Sequence, residues 1–394
     1  MSTRGRVCLH VPYLYPLLAH GAGGTAGGAE VQQRQFALGL AQRGFEVSVV
    51  TCDYGQPSPE RRDELAIWKS FAPHAGWPVL RFVHPRLTST VAALWRANAE
   101  VYFMKGSGLL PGVTCDVAHA RGAAFAWLAA HDYDVEPDFP ALEHGRERAW
   151  FRRALLGCDL RLVQTEFQRT RLASVWGLES GVVKSPIGRI ETATDPGSAS
   201  VVLWVATYRE RKRPEWFTEL AARFPKHRFK MCGHVPEPPL TRDPFDAARA
   251  RARELPNLEV LGDVPHQQVG TLYREAAVVV HTSEAEGFPN VFLEAWAHGV
   301  PTLSAVDPDH IVATHGIGRV AQTLDGFASE LSRLLDDPEQ RRVLGTRARA
   351  YVSEHHDRER ILDQLAERFD ELIARRRARG RAGDTEPRAR ARDR

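Results

Sequence analysis

Apolar residues in this chain come in short runs, separated by polar, glycine-rich or proline-rich stretches, and the runs alternate between strand-like and helix-like spacing. Residues 6–10 (RVCLH) read as a strand and 21–28 (GAGGTAGG) as a glycine-rich loop. In 30–43, Val31, Phe36 and Leu40 recur at helical spacing, and Gly44 ends the helix. FEVSVVT at 45–51 is the next strand, whereas 53–112 is poorly periodic, rich in Trp and Pro, and reads as a variable insertion or a set of loops. Beyond it, 114–118 reads as a strand, 142–156 as a helix, 160–164 as a strand and 166–176 as a helix. Strand, helix, strand at this spacing implies crossover connections and a parallel sheet. The turn-rich segment 187–200 is the best linker. After it the alternation restarts, with strands at 201–206, 229–233, 258–262, 277–281 and 301–305. Helices fall at 214–224, 266–275 and 290–298, and more follow to about residue 377. The pattern predicts an α/β protein of two tandem doubly wound domains.

Length agrees with two domains, since 394 residues exceed the roughly 100–200 that one core serves. With 43% hydrophobic and 26% charged residues, the chain is neither largely disordered nor a coiled coil. No apolar run reaches the roughly 18–20 residues of a membrane span. The opening MSTRGRVCLHVPYLYP lacks the apolar core and cleavage site of a signal peptide. Five scattered cysteines, with no CxxC or Cys/His cluster, fit free thiols in a reducing cytoplasm and no metal. Residues 375–394 carry a net +6, so the rest of the +3 chain is −3. The body is therefore not a general polyanion binder, and no nucleic-acid partner is expected. The Arg-rich 378–394 reads first as a disordered, solvated tail and second as a patch for nucleic acid, set back because no aromatic is interleaved to stack on bases, or for anionic lipid at the inner membrane face. Only six of the 52 basic residues are Lys, so a lysine inside a motif stands out.

The most specific stretch is HTSEAEGFPNVFLEAWAHGVPTLS, 281–304. Glu286 and Glu294 stand eight positions apart, on either side of a helix start that follows a strand, where open α/β sheets bind ligands. Free N–H groups at that start, around Asn290 and Val291, favour a phosphate. Upstream, WVATYRERKRPEW (204–216) runs strand, basic loop, helix, and places Arg209 and Lys212 where they can neutralise a diphosphate. The AGGTAGGAE string at 22–30, with Gly27 and Gly28, also lies between a strand and a helix start and permits close approach to a phosphate or sugar. A bland reading stands beside each motif: a helix-dipole carboxylate, a solvated basic loop, a flexible glycine loop.

Together these strings resemble the family-4 retaining glycosyltransferases, glycosyl transferases group 1, which have the GT-B fold. The resemblance covers roughly 1–50 and 114–350. It implies two Rossmann-like domains facing a cleft: an acceptor domain at 1–188, a nucleotide-sugar domain at 199–355, and a C-terminal helix at 356–377 that crosses back. It implies that Glu286 contacts the donor sugar, Glu294 holds the ribose hydroxyls, and Lys212 serves the leaving phosphate. Gly27, Gly28, Asn290 and Val291 complete the donor contacts, and Arg209, two residues past the family's Arg position, is expected from its place in the basic loop to reach the same phosphates. In Asp116-Val-Ala-His119-Ala-Arg121, His119 matches the first histidine of a family string expected at a strand end facing the cleft. Three departures stand out: Thr207 where the family has Arg, Arg121 where it often has His, and Pro289 where many members have Gly. The implied reaction moves a hexose-type sugar from a UDP- or GDP-sugar to the hydroxyl of a small-molecule, glycan or lipid-linked acceptor. No metal is required. The pairs Asp132/Asp134 and Asp307/Asp309 mimic an Asp-x-Asp metal motif and are discounted. The rivals are a silent nucleotide-sugar binder and a sugar-nucleotide epimerase of the same fold.

Overall fold

The computed structural model describes residues 3–19, 28–73, 82–188, 194–236 and 241–390. By contact density it divides into two units, one running to Val183 and resumed at Glu359, the other Lys184–Arg358.

In the first unit the strands are β1 (Arg6–His10), β2 (Glu46–Thr51), β3 (Glu60–Arg62), β4 (Leu65–Lys69), β5 (Val101–Lys105), β6 (Ala124–Leu128), β7 (Leu160–Val163) and β8 (Gly181–Val182). They lie in the order β3-β4-β2-β1-β5-β6-β7-β8, and only β3 is antiparallel to its neighbour. Alternate residues feed opposite faces: Val7, Leu9, Val101 and Phe103 enter one core, Cys8, Tyr102 and Met104 the other. Burial on both faces makes these strands read as near-continuous apolar runs.

The loops expected over 53–112 are therefore corrected. That stretch holds β3, β4, the helix Thr88–Ala97 and β5, which pairs with β1 in mid-sheet. Residues 114–118, expected as a strand, lie in the helix Leu109–Ala120. A short apolar run cannot by itself distinguish a buried strand from a buried helix.

The second unit contains β9 (Val201–Val205), β10 (Arg228–Cys232), β11 (Leu258–Gly262), β12 (Ala276–His281), β13 (Thr302–Ser304) and β14 (Gly318–Val320). All are parallel, in the order β11-β10-β9-β12-β13-β14. The described part of the linker is bonded into this unit: Arg341 donates to Pro196 O at 2.7 Å and Gly197 O at 3.0 Å.

The last helix, Arg358–Arg390, packs on the first unit. Ile361, Leu362, Leu365, Phe369, Leu372 and Ile373 recur every three or four residues and join the β1–β5 core. Phe369 meets the Phe103 ring edge to face at 5.5 Å. Gly39 allows the approach: a Cβ there would come within 2.4 Å of Leu362. Helical backbone continues through 378–390, where the sequence suggested a disordered tail.

Candidate active site

In the second sheet the strand order reverses between β9 and β12, and ligands of open α/β sheets bind beyond the strand ends at such a point. The two conspicuous sequence motifs are the segments that leave β9 and β12 there. After β9 the chain turns through a 3₁₀ turn, Glu210–Lys212, into the helix Pro214–Arg223. Arg213 holds that corner at φ +48° and lays its guanidinium over the Trp216 ring at 4.7 Å.

After β12 the chain runs through 282–289 to the helix Asn290–Ala297. Two hydrogen bonds strap the loops together. Thr282 Oγ1 donates to Lys212 O at 2.5 Å, and the Glu284 N–H donates to Arg211 O at 2.9 Å. Trp204 Nε1 donates to Thr282 Oγ1 at 3.0 Å and anchors the strap to the core.

The strap brings Lys212 Nζ onto Glu286 Oε1 as an ion pair, although 74 residues separate them. The Glu286 side chain is 8% exposed and that of Lys212 14%. Burial alone would raise the Glu286 carboxyl, but Lys212 and His281 hold it well below the usual carboxylate range. Burial lowers the Lys212 ammonium, and Glu286 opposes that shift. His281 Nε2 lies 3.5 Å from Glu286 Oε1; burial lowers the pKa of the imidazole, and Glu286 opposes that shift.

Glu294, one turn into the helix, is half-buried, and its Oε2 accepts from Tyr273 OH at 2.8 Å. The Tyr273 ring stacks on His298 at 5.4 Å. Asn290 and Val291 form the first turn, half-buried, where N–H groups point out of the helix end. Arg209 is exposed at the start of the 3₁₀ turn, and its charge reaches Lys212.

Thus Lys212 and Glu286 touch, and Glu294, Asn290, Val291 and Arg209 lie on the same two connections. Gly28 begins the helix Gly28–Gln42 of the first unit, with Glu30 in its first turn. Gly27 and the preceding glycines lie outside the described residues.

His119 is corrected. It sits on the last turn of the helix Leu109–Ala120, and its Nε2 meets Asp159 Oδ2 at 2.9 Å. Asp159, just before β7, also accepts the Phe125 N–H at 2.9 Å. The pair therefore braces the N-terminal edge of the sheet, opposite to the C-terminal strand ends where open α/β sheets take their ligands. The histidine beyond the C-terminal end of β6 is His131, which caps the turn Asp132–Val135. Of the discounted aspartates, Asp134 and Asp307 serve the backbone, and Asp132 Oδ1 accepts from Gln168 Nε2 at 2.9 Å. Asp134 Oδ2 accepts from Ala130 N at 2.7 Å and His131 N at 3.0 Å, and Asp307 accepts from Val312 N at 2.7 Å.

Sequence reading missed Tyr273, His281 and Gly233. Gly233 follows β10 at φ +142°, and a Cβ there would lie 1.8 Å from Ala206 O, so only glycine allows the two strand ends to approach. A glycine directly after a strand was the available signal. The other two act through contacts that spacing alone does not reveal.

Comparison with known proteins bears on the family and the fold. The profile of "Glycosyl transferases group 1" matches residues 199–337, and that of "Glycosyltransferase Family 4" matches 26–187. Over 166 residues, 41% of this chain, the sequence is 22% identical to the glycosyltransferase 1 domain-containing protein 1 of Xenopus tropicalis. The match spans about half of that curated relative (47%). Among solved structures, a sucrose-phosphate synthase from Thermosynechococcus elongatus superposes with a TM-score of 0.78 at 19% identity, covering 94% of this chain and 99% of that one. HepE of Anabaena, solved with UDP-glucose, gives 0.72 at 15% identity, covering 93% and 100%. TarM of S. aureus, solved with UDP among its ligands, gives 0.67 at 10%, covering 94% and 99%. At these identities the likeness carries the fold, GT-B.

Proposed function

The chain belongs to the family-4 glycosyltransferases, glycosyl transferases group 1, and on that premise we propose that it moves a hexose-type sugar, with retention of configuration and without a metal, from a nucleoside-diphosphate sugar to an acceptor hydroxyl. HepE, of the same fold, was solved with UDP-glucose, and that donor class, with GDP-sugars beside it, is extended to this chain. The second unit holds the donor and the first unit the acceptor.

The observation that carries the reading is the buried Lys212–Glu286 pair at the β9/β12 switch point, beside a helix start. Diphosphate oxygens entering there meet the Lys212 ammonium and the N–H groups of Asn290 and Val291. Glu286, released from Lys212, accepts from sugar hydroxyls. Glu294, fixed by Tyr273, accepts from the ribose hydroxyls.

In the reaction the bond between the anomeric carbon and the diphosphate oxygen breaks, and the acceptor oxygen bonds the same face of that carbon. The acceptor proton passes to the departing phosphate oxygen. Lys212 acts most as that bond breaks, because charge on the leaving oxygen grows only then.

The test is proton NMR of the product in EDTA-treated buffer. The axial or equatorial coupling of the donor's anomeric proton should reappear in the product. Inversion refutes the retaining reading; turnover that needs Mn²⁺ or Mg²⁺ refutes the metal-free one. Nucleotide release that depends on added acceptor separates transfer from silent binding and from epimerisation.

A further inference from the structure

The first sheet has its own switch point, between β1 and β5, and the last residue of β5 is Lys105, one of the six lysines. Its Nζ donates to Oε1 of Gln32, on the helix Gly28–Gln42, and lies 3.4 Å from Oε1 of Gln164, just after β7. The Gln164 amide is fixed, because its Nε2 donates to the carbonyls of Ala129 and Ala130 at 3.0 Å. Both partners of the ammonium are therefore neutral oxygens, and that of Gln164 is held in place. Among the described residues no carboxylate forms an ion pair with it.

The acidic groups that face Lys105 are Glu30, in the first turn of the Gly28–Gln42 helix, and Asp134. Asp134 is already committed to the Ala130 and His131 N–H groups. Burial outweighs both charges and pulls the Lys105 ammonium down to about 8. A desolvated ammonium with three donors, two of them on neutral oxygens, weakens a fold unless an anion joins it. Residues 105–110 are only partly buried, so this strand end borders solvent although the ammonium itself is desolvated.

We propose that Lys105 is the recognition point for an anionic group, phosphate or carboxylate, carried by the acceptor. The first unit then takes a phosphorylated or acidic acceptor in preference to a neutral one. This rests on the transferase reading, which places the acceptor on the first unit.

The experiment is calorimetric titration of glucose 6-phosphate, glucuronate and glucose into the full-length protein, with UDP saturating the second unit. Wild type should bind one or both anions and not glucose, and which anion binds distinguishes a phosphate from a carboxylate acceptor. Lys105→Met should weaken the anion by about ten- to a hundredfold, and Lys105→Arg should recover part of it. Lys105→Met should keep its UDP affinity and melt no lower than wild type, which separates lost recognition from lost folding.

A phosphate ester is doubly charged above about pH 7, so the decline of its affinity as pH rises through about 8 reports Lys105 losing its proton. In Lys105→Met that decline should be absent. Equal binding of glucose, undiminished anion binding by Lys105→Met, or binding of neither anion overturns the proposal. Titration of UDP alone tests the donor site, and its failure strikes the transferase reading and leaves the Lys105 comparison standing.

Discussion

Replacing Lys212 by Met leaves Glu286 as a buried carboxylate without its ammonium. Both side chains are mostly covered, at 8% and 14% exposure, so solvent recovers little of the loss. Removing one partner of a buried pair costs about 3–5 kcal/mol, whereas neutralising both is near neutral. For a unit of this size each kcal/mol shifts the melting point by about 2–4 °C, so Lys212→Met should lower the transition of the second unit by roughly 6–20 °C at pH 7. Lys212→Met/Glu286→Gln should regain most of it, since no charge is then stranded.

The pH dependence has a fixed sign. In the wild type the Glu286 carboxyl is depressed, so its contribution is present above the ordinary carboxylate pKa and is lost as pH falls through the depressed value. In Lys212→Met the dominant remaining effect is burial, which raises the carboxyl. Glu286 then protonates in mild acid, and the gap between variant and wild type narrows as pH falls from 7. Differential scanning calorimetry of the three proteins at pH 7 and in mild acid measures this. A Lys212→Met protein that melts with wild type at pH 7, or a double variant no better than the single, refutes the buried-pair account.

Glu294→Ala should weaken UDP binding by about 1.5–3 kcal/mol in calorimetry, and Tyr273→Phe, which loses only the 2.8 Å bond that orients Glu294, should weaken it less. Leu362→Ala, at a fully buried position against Gly39, should destabilise the first unit by about 2–5 kcal/mol in urea unfolding while UDP affinity stays unchanged. His119→Ala should leave kcat and donor KM unchanged in steady-state assays, because its partner Asp159 lies at the opposite edge of the sheet from the ligand-binding end.

The second unit was nearly legible from sequence because its chemistry is local. The strand, loop and helix over 276–297 form one continuous phrase, and β9 and its basic loop form another. Each boundary is marked by Gly, Pro or a change of period. The first unit was less legible. β5 reads VYFMK and β6 AFAWL, runs too short and too apolar to show a period, and the helix between them carries the short stretch TCDVA, 114–118, that imitates a strand. That one misassignment moved the expected cleft histidine to His119. Contacts across long separations escaped entirely: Lys105 meets Gln32 from 73 residues away, and Tyr273 reaches Glu294 only because the helix Asn290–Ala297 lies beside the one before β12. Side chains that meet through the sheet leave no spacing in the chain to read.

The central claim is that the β9/β12 edge holds the donor diphosphate and that Lys212 stabilises its departure. Steady-state release of UDP from UDP-glucose, or of GDP from a GDP-sugar, against a panel of hydroxyl acceptors tests it most directly when wild type and Lys212→Ala are compared. The account predicts acceptor-dependent release, with kcat lower by about 10²–10³ in Lys212→Ala and donor KM moved far less. Unchanged kcat with only a raised KM would contradict it.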